Sequence, residues 1–317
     1  MKASFSPVPV NAKRPTWSVM IPVYNSAVFL RKTLECVLAQ DPGPDHMQIE
    51  VVDDASDIDP TAIVNGIGKG RVSIFRQASN QGQIGNLSTC IERAQGEIVH
   101  LLHGDDFVLP GFYSALEKGF RNEKIGAAFC RWMIVDVNDK PLTVSECEQS
   151  KRGPLRDALE RLASEQRIVT PSIAVRRRVW EQLGGFNPRL RCAEDWEMWV
   201  RIAAHHAIWY EPNVLAAYRR HDASTTARNT RNAEELRYSK MAIDMFAPLL
   251  PAATARQIVR RARRAYASTA VTQAAHFWRD NDLAGAWANV VMAARLDPSI
   301  RTLKSAVRAL MNKADAK

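Results

Sequence analysis

Short, unbroken apolar runs alternate with segments of helical spacing along residues 17–204. Trp17 to Tyr24 (WSVMIPVY) has the continuous apolar character of a strand covered on both faces, and Asn25-Ser26 follows at a helix N-cap position. Val28, Leu30, Leu34, Val37 and Leu38 then recur at helical spacing. The cycle repeats, with Gln48 to Asp54 a strand, Pro60 to Ile67 a short helix, Val72 to Phe75 a third strand and Ile84 to Ala94 a helix. Glu97 to Pro110 (EIVHLLHGDDFVLP) supplies the fourth strand, which breaks at Gly104 into the paired carboxylates Asp105 and Asp106 before a helix at Phe112 to Phe120. Strands joined by helical crossovers pair in parallel. Right-handed crossovers then bring the strand ends near residues 24, 54 and 103–106 to one edge, where open α/β sheets bind ligands.

Further along, Gly126 to Val135 and Ser172 to Val175 read as strands, and Leu155 to Ala163 and Arg177 to Leu183 as helices, the latter closed by Gly184-Gly185. Glu194 and Asp195 open an amphipathic helix running to Ala204, a placement that favours the helix dipole whatever else these residues do. From Asn229 onward the pattern is helical, punctuated by Pro251 and Pro298, with a helical hairpin around Asn281-Asp282. That hairpin weakly resembles one tetratricopeptide unit, and a single copy makes no array. The expected organisation is a leader over 1–15, an α/β domain over 16–228 and a basic helical region over 229–317.

Charge sharpens this division. Of the formal net +9, residues 231–317 carry +8, from 15 Lys/Arg and 7 Asp/Glu, so the α/β part is nearly neutral. Arg256, Arg260, Arg261, Arg263 and Arg264 fall within one predicted helix, a face suited to anionic lipid or to a protein partner, the alternative being a solvated face. A hydrophobic fraction of 46% without low-complexity tracts makes the chain globular. The five cysteines (Cys36, Cys90, Cys130, Cys147 and Cys192) include no CxxC pair, which argues against a zinc site or a disulfide framework. With no apolar signal region and no membrane-spanning run, the expected location is cytoplasmic, with the inner face of the membrane as a place of peripheral contact.

Adjacent carboxylates at a sheet edge are hard oxygen ligands for Mg²⁺ or Mn²⁺, which bind substrate phosphates; an Asp-rich turn is the plainer reading of the same pair. Gly66 to Gly70 is no phosphate loop, since Ile63 and Gly70 stand where that motif needs Gly and Ser or Thr.

Taken together and in order, SVMIPVYNSAVFLRKTLECVLAQ, IEVVDDAS, NQGQIGNLSTCIERAQGEIVHLLHGDDFVLPGFY, GGF, AEDWEMWVRIA and YRRHDAST resemble the family 2 glycosyltransferases, over residues 17–226. The resemblance implies a GT-A fold, a Rossmann-like, mostly parallel α/β sheet flanked by helices, followed here by the helical extension. It implies transfer of a sugar from a nucleoside diphosphate, of UDP type, to a hydroxyl of a glycan, a lipid-linked acceptor or a protein, with Mn²⁺ or Mg²⁺ as cofactor. Pro22, Val23 and Tyr24 would line the nucleotide pocket, and Asp53 and Asp54 would hold the base or ribose. Asp105 matches the metal-binding carboxylate of the family's DxD motif, with Gly104 before it and Asp106 supporting it or facing the donor sugar. His103 occupies the position of the first Asp of that motif, where it either hydrogen-bonds the donor or packs against the loop. Asn80, Gly82 and Asn86 would shape the donor site, although Leu87-Ser88 replaces the family's usual Arg-Asn pair. Glu194-Asp195 matches the ED motif, in which the Asp is the general base of an inverting single displacement. Arg219 and His221 match the YRxH segment and would meet diphosphate or metal, His221 as a metal ligand.

Trp196 and Trp199 are either an acceptor platform or core anchors of their helix. Two other readings compete. A nucleotidyltransferase lacks support because no glycine-rich, basic loop follows the first strand, and a non-catalytic nucleotide-sugar-binding scaffold would account for His103. Nucleic acid is not an expected partner.

Overall fold

The computed structural model of the chain describes residues 5, 14–221 and 231–311. The chain divides into two compact units, one of residues 1–158, 167–188 and 201–220, the other of 159–166, 189–200 and 221–317. Most of the expected leader, and the expected boundary at 228, lie outside the described residues.

The first unit opens as the periodicity predicts, with β1 (Trp17–Val23), α1 (Ala27–Leu38), β2 (Met47–Asp53), α2 (Thr61–Gly68), β3 (Ser73–Arg76), α3 (Gly82–Arg93) and β4 (Ile98–Leu101). β3, β2, β1 and β4 are parallel neighbours in that order. Every residue of β4, and all of β1 except Pro22, is buried, so neither strand can alternate polar with apolar positions. Leu30, Leu34 and Val37 of α1 join Val19, Ile21, Ile49 and Val51 of the sheet in the main core.

The sheet then becomes mixed. β5 (Phe107–Val108), α4 (Phe112–Phe120), β6 (Ile125–Val135), β7 (Pro141–Val144), β8 (Gly153–Pro154), α5 (Ala158–Ser164), β9 (Ile173–Arg176), α6 (Arg177–Leu183), α7 (Glu194–His205) and β10 (Ala207–Arg219) follow. β9 enters antiparallel between β4 and β6, whereas β10 lies parallel to β6 and antiparallel to the short β5. The parallel pairing expected from the crossovers therefore holds for the four strands that form the site edge, and the far half combines both directions. The hydrophobic pattern predicts no strand over 207–219. Its alternation is broken around Glu211, Pro212 and Asn213, where the pairing with β6 shifts register.

In the second unit, α8 (Glu234–Phe246), α9 (Ala255–Arg279), α10 (Leu283–Leu296) and α11 (Ile300–Met311) surround a small core of Leu236, Ala267, Ala270, Met292, Ala293 and Leu296. The expected hairpin is present between α9 and α10, with Asp282 capping α10 by accepting from the Gly285 amide at 3.1 Å.

Candidate active site

The carboxyl ends of β1, β2 and β4 are tied into one platform. Asn25, with φ of 53°, donates its amide to Ser56 Oγ (2.9 Å) and its Nδ2 to Asp57 (2.9 Å), while the Asp57 amide returns a bond to Asn25 Oδ1 (2.9 Å). The Asp54 amide donates to the Val23 carbonyl at 2.8 Å, and the Gly104 amide to the Pro22 carbonyl at 3.0 Å. A Cβ on Gly104 would lie 2.7 Å from Val23 Cγ2 and 3.1 Å from Ser26 Oγ, so glycine is what lets the end of β4 run this close to β1.

The two carboxylates after β2 differ in what holds them. Asp53 is buried, accepts from the amide (3.2 Å) and hydroxyl of Ser56 and pairs with Arg76 Nε at 3.4 Å, which fixes the loop. Asp54, also buried, accepts from the Gln81 amide at 2.7 Å beside the start of α3; burial raises its pKa against the opposing bonds from Gln81 and Gly82. Asn86 donates Nδ2 to the Val52 carbonyl at 2.9 Å, and its own carbonyl oxygen is buried without a hydrogen-bond partner among the described residues. Tyr24 is half exposed and Pro22 partly so, whereas Val23 is buried. Asn80 accepts from the Gly82 amide at 2.9 Å and shapes the turn into α3.

Beyond β4, His103, Asp105 and Asp106 each present one potential ligand atom, all within 4.8 Å of one another. Asp106 is 1% exposed. Its Oδ1 accepts from the Arg219 amide at 2.8 Å, while its buried Oδ2 has no hydrogen bond among the described residues and faces His103 Nδ1 at 3.6 Å. Thr33 Oγ1 reaches the carbonyls of Asp106 (2.7 Å) and Gly104 (3.1 Å), so α1 holds the main chain of this turn. Burial pushes the Asp106 carboxyl up to about 6. Two carboxylates and an imidazole are a donor set that fits Mn²⁺ or Mg²⁺, and the buried, unbonded Oδ2 of Asp106 is the feature a cation would satisfy. The sequence pairs Asp105 with His221 as ligands; the fold groups Asp105 with His103 and Asp106.

The raised pKa of Asp106 has a stability consequence. A carboxyl that binds its proton more tightly folded than unfolded stabilises the fold fully below its ordinary value of 3.8, and that stability is lost as pH rises through about 6. In EDTA, Asp106→Asn is therefore expected to flatten the pH dependence between about 4 and 7 and to exceed the wild type at pH 8 by on the order of 3 kcal/mol. Urea unfolding at the two ends of that range checks this.

Arg219, at the end of β10, is brought to the same turn but lies inside the protein. Its Nε donates to the Asp105 carbonyl (2.8 Å), its Nη1 donates to the Asp136 carbonyl (3.1 Å) and pairs with Asp139 (2.6 Å). Its guanidinium lies 4.6 Å from the Phe29 ring centroid and 5.5 Å from that of Phe107. Asp136, Asp139 and Phe29 are thus part of the site's support. No sequence motif marks them, because they meet Arg219 only after β10 has paired with β6.

The second unit holds the other carboxylates. Glu194 is buried at the start of α7. Asp195 accepts from the Trp196 amide at 2.7 Å through Oδ1 and from Gln166 Nε2 at 2.7 Å through Oδ2. Trp196 donates Nε1 to the Leu162 carbonyl (2.6 Å), stacks on Tyr266 with centroids 4.9 Å apart and meets Phe246 edge-on at 5.1 Å. Trp196 and Trp199 are each 1% exposed, so both are core anchors and neither offers an open face to an acceptor. Burial pushes the Tyr266 phenol well up. Gln166, in the irregular segment after α5, and Tyr266, within α9, were invisible to motif reading, because neither segment carries a distinguishing pattern. His221 is the last described residue before 222–230.

The family model for "Glycosyl transferase family 2" matches residues 18–184, more than half of the chain. The chain belongs to this family. The glycosyltransferase is 29% identical over 231 residues to an uncharacterized protein of Mycobacterium tuberculosis, covering 69% of this chain and 72% of that one. Its fold is similar to Staphylococcus aureus TarS 1–349 in complex with UDP-GlcNAc (TM-score 0.59, 13% identity, 90% of this chain and 92% of that one). It is also similar to the mannosyltransferase PcManGT of Pyrobaculum calidifontis in complex with GDP-Man and Mn²⁺ (TM-score 0.58, 20% identity, 98% and 83% covered). Both likenesses establish the GT-A architecture for this glycosyltransferase. Asp54, Asn86, His103, Asp105 and Asp106 lie within the family match, and Asp195, Arg219 and His221 lie beyond it.

Proposed function

We propose that this glycosyltransferase moves a sugar from a nucleoside diphosphate of UDP type to a hydroxyl of a glycan, a lipid-linked acceptor or a protein, with inversion and with a divalent cation. The observation that carries this reading is the cluster of His103, Asp105 and Asp106 at the end of β4, on the platform in which the Asp54 amide is tied to Val23 and the Gly104 amide to Pro22. TarS holding UDP-GlcNAc and PcManGT holding GDP-Man with Mn²⁺ support the donor and cofactor classes.

Asp105, with Asp106 and His103, would hold the cation, which when bound neutralises the charge of a leaving diphosphate. Asp54 and Asn86 offer a buried carboxylate and a buried amide oxygen as acceptors for the base or ribose, and the exposed Tyr24 ring gives the base a face to lie against. Arg219 positions the turn by holding the Asp105 carbonyl and the Asp106 carboxylate. Asp195 acts as general base. It takes the proton of the acceptor hydroxyl as that oxygen bonds to the anomeric carbon and the bond from that carbon to the diphosphate oxygen breaks, the electron pair leaving on the diphosphate. Bonds from Trp196 and Gln166 fix the carboxylate in place.

Thermal shift with UDP and GDP, each with and without Mn²⁺, tests the reading. UDP is expected to raise Tm by several degrees only when Mn²⁺ is present, consistent with ligand linkage of about 2–4 kcal/mol at saturating nucleotide. No shift with any nucleotide and metal together would overturn the donor assignment.

A further inference from the structure

Helix α11 (Ile300–Met311) presents an exposed apolar ridge with no partner among the described residues. Ile300, Leu303, Val307 and Met311 are 71%, 44%, 55% and 74% exposed, and their spacing lines them up on one side of the helix. Ala306 on another side is buried, and α11 packs against α9 and α10. Arg301, Lys304 and Arg308 run alongside the ridge, and the helix has no acidic residue.

A second feature adjoins it in the chain. A groove of about 360 Å³, lined by Arg256, Arg260, Arg263, Leu296, Pro298 and one carboxylate, Asp297, ends at the segment leading into Ile300. The first turns of α9 carry five arginines and no acid in the first turn, at the helix end whose dipole already favours anions. Arg263 pairs with Asp244 (2.7 Å) and Arg264 with Asp297 (3.5 Å), whereas Arg256, Arg260 and Arg261 have no ion pair among the described residues. Arg256 and Arg260, one helical turn apart, repel each other unless an anion lies between them.

We propose that α11 and this arginine groove form one docking surface for an anionic lipid bilayer. The Ile300–Met311 ridge enters the boundary between headgroups and acyl chains, Arg301, Lys304 and Arg308 stay at phosphate level, and Arg256 and Arg260 receive lipid phosphate. Charge selects this occupant over a second copy of the chain, since ridge-to-ridge pairing would set the three cations of one helix against those of the other. Association of this kind lies on the membrane surface; among the described residues no helix is long and apolar enough to cross it.

Co-sedimentation of the full chain with phosphatidylcholine vesicles, with and without phosphatidylglycerol, tests the proposal without any sugar-transfer readout, so it stands or falls separately from the catalytic reading. The wild type is expected to bind the anionic vesicles at least ~10-fold more strongly than the neutral ones, and less at high salt. Val307→Glu, at an exposed position and with its fold checked by circular dichroism, is expected to reduce that binding ~10-fold or more, and Leu303→Glu to do the same. Arg256→Ala combined with Arg260→Ala is expected to lower anionic-vesicle binding and leave the weak neutral-vesicle binding unchanged. Wild-type protein that ignores phosphatidylglycerol, or Val307→Glu protein that binds as well as wild type, overturns the proposal. So does a dimer in sedimentation velocity that Val307→Glu splits while vesicle binding is absent, or binding of inorganic phosphate by a protein that does not bind anionic vesicles.

Discussion

Asp195→Asn is expected to lower kcat by roughly 10²–10⁴-fold, the range a positioned general base contributes, while donor affinity stays within about a factor of two. The substitution isolates proton transfer because the amide keeps an oxygen for the Trp196 amide at Oδ1, and the Gln166 side chain can turn its carbonyl toward the new amide. Packing around Trp196, Tyr266 and Phe246 does not depend on the charge, so the helix start should stay in place. Steady-state release of nucleoside diphosphate, together with isothermal titration of the donor, separates the two effects. Turnover at the wild-type rate on a competent acceptor would remove Asp195 from the mechanism and move the search to Glu194.

Asp105→Ala is expected to act on the other half of the reaction. Metal-dependent donor binding should weaken by at least ~100-fold, since even groups one step removed from a metal cost about 10–100-fold in metal affinity. The loss should appear as a vanished Mn²⁺ effect on UDP affinity, measured by titration with and without EDTA. The fold is expected to survive: Arg219 holds the Asp105 carbonyl, which alanine retains, and the Asp106 main chain is held by Thr33. UDP that binds the variant as tightly as the wild type in Mn²⁺ would show that the cation, if bound at all, sits elsewhere.

The two carboxylate pairs show how far residue patterns alone reach. Asp53-Asp54 and Asp105-Asp106 were both legible as polar ends of buried strands, since a strand that must be apolar throughout can place its chemistry only where it leaves the sheet. Which carboxylate oxygens are held for structure was not legible. Asp53 is taken up by Ser56 and Arg76, and one oxygen of Asp106 by the Arg219 amide, and these partners lie 3, 23 and 113 residues away along the chain. The tryptophans of α7 illustrate the same boundary. Their spacing fitted both a core and a platform, and only the arrival of Phe246 and Tyr266 from later helices buried Trp196.

By itself, the sequence determined the local elements from β1 to β4, the edge they share, the helical hairpin of the C-terminal region and the family motifs, because each depends on periodicity, turn chemistry or order over a few tens of residues. The tertiary structure decided the rest. β10 was hidden by its irregular pairing near Pro212, and with it the placement of Arg219, which the motif reads as a contact for diphosphate or metal and which the fold holds as a buried clamp under the Asp105-Asp106 turn. His103, an apparent departure from the motif, became a third potential ligand once the turn folded it toward Asp106. The physical reason is common to both cases: a side chain's charge and donors are written in its identity, but what they act on is set by which distant strand is paired beside it.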